Sequence, residues 1–371
     1  MSFLKRFFVF ILIIILLCGS FSAQAIGVSA RAAVVIDGIS GKVLYSVNPN
    51  ERLSMASTTK IMTALILCEQ GDLNRQITVT EEMIRVEGTS MGLCVGLKVT
   101  FYDLLYGMLL SSGNDAANAA AVSIGGSMEA FVALMNNKAV AMGLKNTHFN
   151  TPSGLDGPTH YTTAYDLAML TKEALKNEDF AKAAQTKSIT LTYGGMKHTL
   201  TNHNRLLSTY NGAVGVKTGF TKKSGRCLVS AARKNEGLII AVTLNDGNDW
   251  QDHTAMLDYG FTCLSDEIQS FPSKSYTVSV HGGEKDSISI KSDKVAFRTA
   301  KGQIVTAKEY ILPFISAPVS VGEEIGYIEY FCGEELVAKQ KLTASEQVNA
   351  LPKAGFIDWF WILFKKLLGY I

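Results

Sequence analysis

The chain is poor in what metal centres and disulfide frameworks are built from. Its 371 residues include six histidines and six cysteines. The histidines form no HExxH and the cysteines no CxxC. Neither a zinc site nor a disulfide scaffold is therefore expected, and no metal or other cofactor is called for. An excess of charge of one sign is also missing. Lys and Arg number 35 against 33 Asp and Glu, a formal net charge of +2. With no clustered basic and aromatic stretch, nucleic-acid binding is set aside. There is no internal repeat or low-complexity tract. There is also no apolar run of comfortable membrane-spanning length.

The longest apolar run, Phe7 to Cys18, is short and follows Lys5 and Arg6. Small and polar residues come next, ending in Ala23-Gln24-Ala25. This charged, apolar, small-residue order is that of a secretory signal, with cleavage expected after Ala25. The remaining chain is read as exported. At the other end, Phe356 to Leu368 is apolar and aromatic, with Asp358, Lys365 and Lys366 on one narrow polar stripe. Sixteen helical residues from Phe356 would reach about 24 Å, short of the hydrocarbon core. A helix lying in the membrane interface fits better, with the tryptophans at headgroup level.

Between these ends the pattern changes twice. Ala32–Asp37 and Lys42–Val47, around the turn Gly38–Gly41, read as a hairpin. Helices are expected over Thr59–Cys68, from an N-cap at Thr100 to Leu110, over Asp115–Ser123 and Ser127–Met142, and from a cap at Thr163 to about Lys176. Strands return at Ser188–Thr192, Val214–Thr218, Cys227–Ala232 and Leu238–Thr243, and a helix closes at Trp250–Cys263. Strands at both ends with helices between them make an α+β fold, one antiparallel sheet carrying an inserted helical cluster. Near Phe271-Pro272 the character shifts, and four of the seven prolines lie from there onward. Tyr276–Val280, Ser287–Ile290, Lys294–Arg298, Gln303–Ala307, Glu324–Tyr330 and Leu336–Leu342 read as short strands of a small all-β domain. The expected organisation is a signal at 1–25, a catalytic domain at 26–265, a β-rich domain at 266–350 and an amphipathic helix at 351–371.

Three short motifs carry chemistry. In Ser57-Thr58-Thr59-Lys60 a spacing of three puts both side chains on one helical face. Serine is a weak nucleophile until a base takes its proton. A lysine serves as that base when burial and nearby positive charge lower its pKa. A serine at a helix start also offers its N–H to an oxyanion. Ser112-Gly113-Asn114 lies between helices, on a tight loop. Its hydroxyl could relay protons, and its amide could hold Lys60 or a substrate carbonyl. Lys217-Thr218-Gly219 ends an apolar strand. There Lys217 and Thr218 can meet a carboxylate, and Gly219 leaves room for a substrate backbone. Lys223-Ser224-Gly225 has the same chemistry but reads as a turn. Each motif is weak alone, since Ser2-Phe3-Leu4-Lys5 also fits the first and Ser46-Val47-Asn48 the second.

Together, and in this order, the motifs resemble those of the serine D-Ala-D-Ala carboxypeptidases, the low-molecular-mass penicillin-binding proteins. The likeness extends to His160–Ala168 and Asp258-Tyr259-Gly260-Phe261 and covers about Ala32 to Phe261. The β domain and terminal helix match the architecture of many members. The resemblance implies a penicillin-binding/β-lactamase-like catalytic domain. It implies Ser57 as the acylated nucleophile and Lys60 as general base, with Ser112 and Asn114 completing the polar network. It also implies that Lys217 and Thr218 bind the substrate carboxylate beside Gly219, with the N–H groups of Ser57 and Phe220 as oxyanion hole. The implied partners are a peptidoglycan peptide ending in D-Ala-D-Ala, β-lactam antibiotics as inhibitors and, through the C-terminal helix, the outer face of the cytoplasmic membrane. Some members place an arginine near the carboxylate. Here His203 holds that position and Arg205 follows two residues later, so neither is assigned.

Two other readings compete. A class A β-lactamase needs a deacylating glutamate in an ExxLN-like segment. The nearest candidate, Glu173-Ala174-Leu175-Lys176-Asn177, has lysine where leucine belongs. A peptidoglycan-binding module without activity has no need of the complete serine, lysine and asparagine set. The five cysteines after residue 25 are read as free thiols, and His148 and His160 as structural.

Overall fold

The computed structural model describes residues 26–351, residue 360 and residues 364–367. The expected signal at 1–25 and most of the helix expected at 351–371 lie outside the described residues.

The first strand, Ala32–Asp37, is buried along its whole length, and so is Gly237–Leu244, with which it pairs. Strands covered on both faces read as continuous apolar runs, and these do. They form the middle of a five-stranded antiparallel sheet in the order Val43–Val47, Ala32–Asp37, Gly237–Leu244, Gly225–Lys234, Ala213–Thr221. Alternate residues go to opposite faces. Val34, Ile36, Val229, Ile240 and Val242 join the core beneath the helical cluster. Ala33, Val35, Leu228, Ile239 and Ala241 pack with Met256 and Leu257 of the helix Asp249–Thr262 on the other face. The α+β arrangement is as expected, with N-terminal and C-terminal strands side by side.

The helical cluster surrounds Lys60–Cys68, all nine residues of which are buried. Its neighbours start where capping chemistry says they should. Thr100 and Asp103 form a reciprocal capping box at Phe101–Leu109. Thr163 Oγ1 accepts from Asp166 N at 3.0 Å at the start of Ala164–Ala174.

Several details differ from the sequence expectation. Ser57 sits in a single 3₁₀ turn, Ala56–Thr59, and the α-helix begins only at Lys60. Ser188–Tyr193 does not join the main sheet. It pairs only with Met196–Thr201, a strand the sequence reading passed over, around Gly194 and Gly195, both at positive φ. A polar, half-exposed hairpin has little apolar alternation to reveal it, although its Gly-Gly turn is a hairpin signal. The short helix Glu178–Gln185, capped by Asn177, was likewise not expected.

From Gln269 to Leu351 the chain is all strand and turn. Two three-stranded sheets and a two-stranded one enclose a separate core around Ile290, Val319, Ile328, Tyr330 and Leu342. The strand expected at Gln303–Ala307 is displaced to Val305–Ile311. This β-rich part is tied to the first by an ion pair between Lys172 and Glu335 and by Ala300 N donating to Asp37 Oδ2 at 2.8 Å.

Candidate active site

The 3₁₀ turn that carries Ser57 is held by its own side chains. Thr58 Oγ1 donates to Met55 O at 2.6 Å and Thr59 Oγ1 to Ala56 O at 2.8 Å. His160 Nδ1 accepts from Asn150 N at 2.9 Å, so Nε2 carries the proton and donates to Thr59 Oγ1 at 2.8 Å. Burial pushes His160 down to about 4, so it is neutral at physiological pH. Its role is structural, as expected. Ala56 itself sits at φ +48, and Ser112 across the cleft at φ +59. Residues without a glycine's freedom keep such angles only where their surroundings fix them.

Lys60 lies directly beneath the serine, fully buried. Its Nζ is 3.0 Å from Ser57 Oγ, 2.6 Å from Asn114 Oδ1 and 2.7 Å from the carbonyl of Ser153. The Asn114 amide is oriented by Nδ2 donating to Glu87 O at 2.7 Å, which leaves Oδ1 for the lysine. Burial holds the Lys60 ammonium well below the usual lysine range, and the nearby Lys217 lowers it further. A neutral amine has two N–H groups and one lone pair. Two of its three neighbours, an amide oxygen and a backbone carbonyl, can only accept. The lone pair is thus left facing the Ser57 hydroxyl.

The strand Ala213–Thr221 forms the opposite wall, at the open edge of the main sheet. It runs close to the serine turn because residue 219 is glycine. A Cβ there would stand 3.0 Å from Ser57 N and 3.1 Å from both Met55 O and Ala56 Cβ. Lys217 is buried, its Nζ donating to Thr218 O at 2.8 Å, and burial lowers it to about 7.

These parts enclose a cleft of about 540 Å³. Of the eight residues singled out in the sequence, Ser57, Ser112, Asn114, Thr218, Gly219 and Phe220 line it. Lys60 and Lys217 do not; they lie buried below its surface. Lys223 and Ser224 belong to the turn between two strands, with Ser224 Oγ accepting from Thr221 N at 3.0 Å, and neither lines the cleft. Sequence reasoning missed Ser153, whose carbonyl meets Lys60. A main-chain acceptor leaves no trace in residue type. It also missed the outer wall, where the Arg205 guanidinium lies 5.9 Å from the Trp250 ring centre and Arg226 is 3.4 Å from the Asp249 carboxylate. His203 lines the cleft as well. Glu173 does not, and pairs instead with Lys176 at 2.9 Å.

Residues 20–248 match the family described as D-alanyl-D-alanine carboxypeptidase, and residues 265–350 match the C-terminal domain of penicillin-binding protein 5. The chain is 35% identical to D-alanyl-D-alanine carboxypeptidase DacF of Bacillus subtilis, over 91% of each chain. It is 32% identical to DacC of Escherichia coli, over 92% of this chain and 88% of the relative. Among solved structures, penicillin-binding protein 5 of Haemophilus influenzae is similar with a TM-score of 0.61 at 27% identity, covering 88% of this chain and 99% of the other. The DD-transpeptidase of Streptomyces K15 gives a TM-score of 0.61 at 33% identity, over 64% of this chain and 98% of the other.

Proposed function

The chain belongs to the D-alanyl-D-alanine carboxypeptidase family, and from that premise we propose that it trims the terminal D-alanine from peptidoglycan stem peptides through an acyl-enzyme on Ser57. The observation that carries the residue assignment is the fully buried Lys60 Nζ standing 3.0 Å from Ser57 Oγ.

Lys60 takes the Ser57 proton as Oγ attacks the carbonyl between the last two D-alanines. The developing oxyanion is met by the N–H groups of Ser57 and Phe220. The Ser112 hydroxyl passes a proton to the departing amine, and D-alanine leaves with its carboxylate against Thr218, in the field of Lys217. Asn114 keeps Lys60 aligned throughout. Water then cleaves the ester and restores Ser57, with Lys60 again accepting the proton. β-Lactams acylate the same serine because their strained amide presents the same carbonyl and carboxylate. Each proton is handled by a side chain already at the site.

Among the cleft-lining residues the only carboxylate is Asp249, paired with Arg226 on the outer wall. The glutamate a class A β-lactamase uses for rapid deacylation has no counterpart there, which favours a long-lived penicilloyl-enzyme. A non-catalytic wall-binding module would have no use for a buried lysine against a serine.

The domain division follows the sequence reading: a signal at 1–25, the peptidase domain at 26–265, the β-rich domain at 266–350 and an interfacial helix at 351–371. The protein is exported, and the helix holds it on the outer face of the cytoplasmic membrane, near nascent wall. The reaction is tested by D-alanine release from a pentapeptide ending in D-Ala-D-Ala. Release by the wild type that disappears in Ser57→Ala is expected. A folded wild type that releases none contradicts the proposal.

A further inference from the structure

Asp115 follows the Ser112-Gly113-Asn114 segment directly and takes no part in the steps above. It is buried, with 2% exposure. Its Oδ1 accepts from Met91 N at 2.9 Å and from Ala116 N at 2.9 Å. Its Oδ2 accepts from Ser90 Oγ at 2.5 Å, Gly92 N at 3.1 Å and Leu93 N at 3.0 Å. Three successive backbone N–H groups, those of residues 91, 92 and 93, thus converge on one carboxylate. Such a concave array of donors is an anion nest, here filled by a side chain of the same molecule.

What the nest holds is the loop that covers the catalytic segment. Asn114 N donates to Thr89 O at 2.7 Å, and Thr89 Oγ1 donates to Ser112 O at 2.6 Å. Asn114 Nδ2 donates to Glu87 O, the bond that turns its Oδ1 toward Lys60. Gly88 and Thr89 line the cleft. The glycine between Ser112 and Asn114 serves the same arrangement. A Cβ at residue 113 would stand 2.8 Å from Asp115 Oδ1 and 3.1 Å from Met91 N. Between residues 85 and 96 only Met91 and Leu93 are buried hydrophobics, so apolar packing alone gives this loop little anchorage.

We propose that Asp115 is a positioning residue for the reaction. Its carboxylate clamps residues 90–93, and through them seats residues 87–89 so that Asn114 and Ser112 meet Lys60 and the substrate. The inference rests on the carboxypeptidase reading of the site and adds to it a residue that touches no reacting atom.

A second influence accompanies the clamp. Two charged groups act on Lys60: Lys217, which joins burial in lowering it, and Asp115, which draws it back up. The Asp115 carboxylate therefore sets how far Lys60 falls as well as where its partners stand. Loss of the negative charge lets Lys60 sink further, so the acid limb of activity moves to lower pH. A purely structural residue would not move that limb.

The test uses the wild-type protein with Asp115→Asn and Ser90→Ala, following acylation by a labelled penicillin and D-alanine release between about pH 5 and 9. Asp115→Asn should acylate on the order of 100-fold more slowly at its plateau, since displacements near 1 Å cost about that much. Its acid limb should move to lower pH. Ser90→Ala removes one bond to the clamp from an exposed position, so it should unfold like the wild type and acylate a few-fold more slowly, with the limb in place. Asp115→Asn acylating at the wild-type rate overturns the inference, as does a slow Asp115→Asn whose acid limb stays put. If Asp115→Asn does not fold, Ser90→Ala decides: slowed acylation supports the clamp, and wild-type acylation overturns it. An inactive wild type overturns the carboxypeptidase reading itself, and is thereby told apart from failure of the clamp.

Discussion

Lys60 Nζ stands 3.0 Å from Ser57 Oγ, one turn along the same segment, with no exposure to solvent. Burial penalises the ammonium and Lys217 adds repulsion, so both push the group toward the neutral amine that can accept a proton. The 3₁₀ turn gives the pair its spacing, and the buried helix gives it its chemistry.

The pH profile follows from the two lysines. In the proposed mechanism activity needs neutral Lys60, so kcat/KM falls as pH drops through its lowered value. Lys217, brought down to about 7 by burial, loses its charge across neutrality. The KM for a peptide ending in a free carboxylate should therefore rise above about pH 7. A matched substrate whose terminal carboxylate is amidated should show no such rise. Parallel profiles for the two substrates would exclude Lys217 from carboxylate recognition.

Gly219→Ala tests the close approach of strand and serine turn. The added methyl would press on Ser57 N and Met55 O, both backbone atoms that cannot swing aside. Acylation should slow on the order of 100-fold, the size of effect seen when an oxyanion donor is displaced. Stopped-flow acylation with a chromogenic cephalosporin measures it, and a loss under threefold would show that the wall yields.

His160 should make the fold acid-sensitive. Its folded pKa, about 4, lies below the unfolded value near 6.5, so the unfolded chain binds the extra proton first. Stability is fully present above about pH 6.5 and declines as pH falls toward 4, by a few kcal/mol at most. His253, pushed by burial to about 3 between Ser230 and Thr243, acts in the same direction. Urea unfolding of His160→Gln should show a shallower loss of stability between about pH 6.5 and 5 than the wild type. An equal slope would mean that His160 does not titrate on unfolding.

The proposed C-terminal membrane anchor is tested by truncation. Removing Ala354–Ile371 should move the protein from the membrane fraction to the soluble one while D-alanine release persists. Continued membrane association would remove the anchor from that segment.

Much of this was legible in the sequence because the chemistry is written in side chains. Ser57, Lys60, Ser112, Asn114 and Lys217–Gly219 stand out by type and spacing, Phe220 only through the family resemblance, and the buried strands by their unbroken apolar runs. What escaped was carried by the backbone or by folding at a distance. The Ser153 carbonyl has no residue signature. Arg205 and Trp250 are 45 positions apart in the chain and meet only once the helix Asp249–Thr262 packs on the sheet. The 3₁₀ geometry at Ser57 depends on His160, about a hundred residues away, through Thr59.

The most direct test of the account is mass spectrometry of the protein after a short exposure to benzylpenicillin, followed by peptide mapping. The account predicts one penicilloyl group per chain, on Ser57 in the peptide that contains Lys60, and none in Ser57→Ala. An adduct on another residue, or no adduct on a folded protein that releases D-alanine, would contradict it.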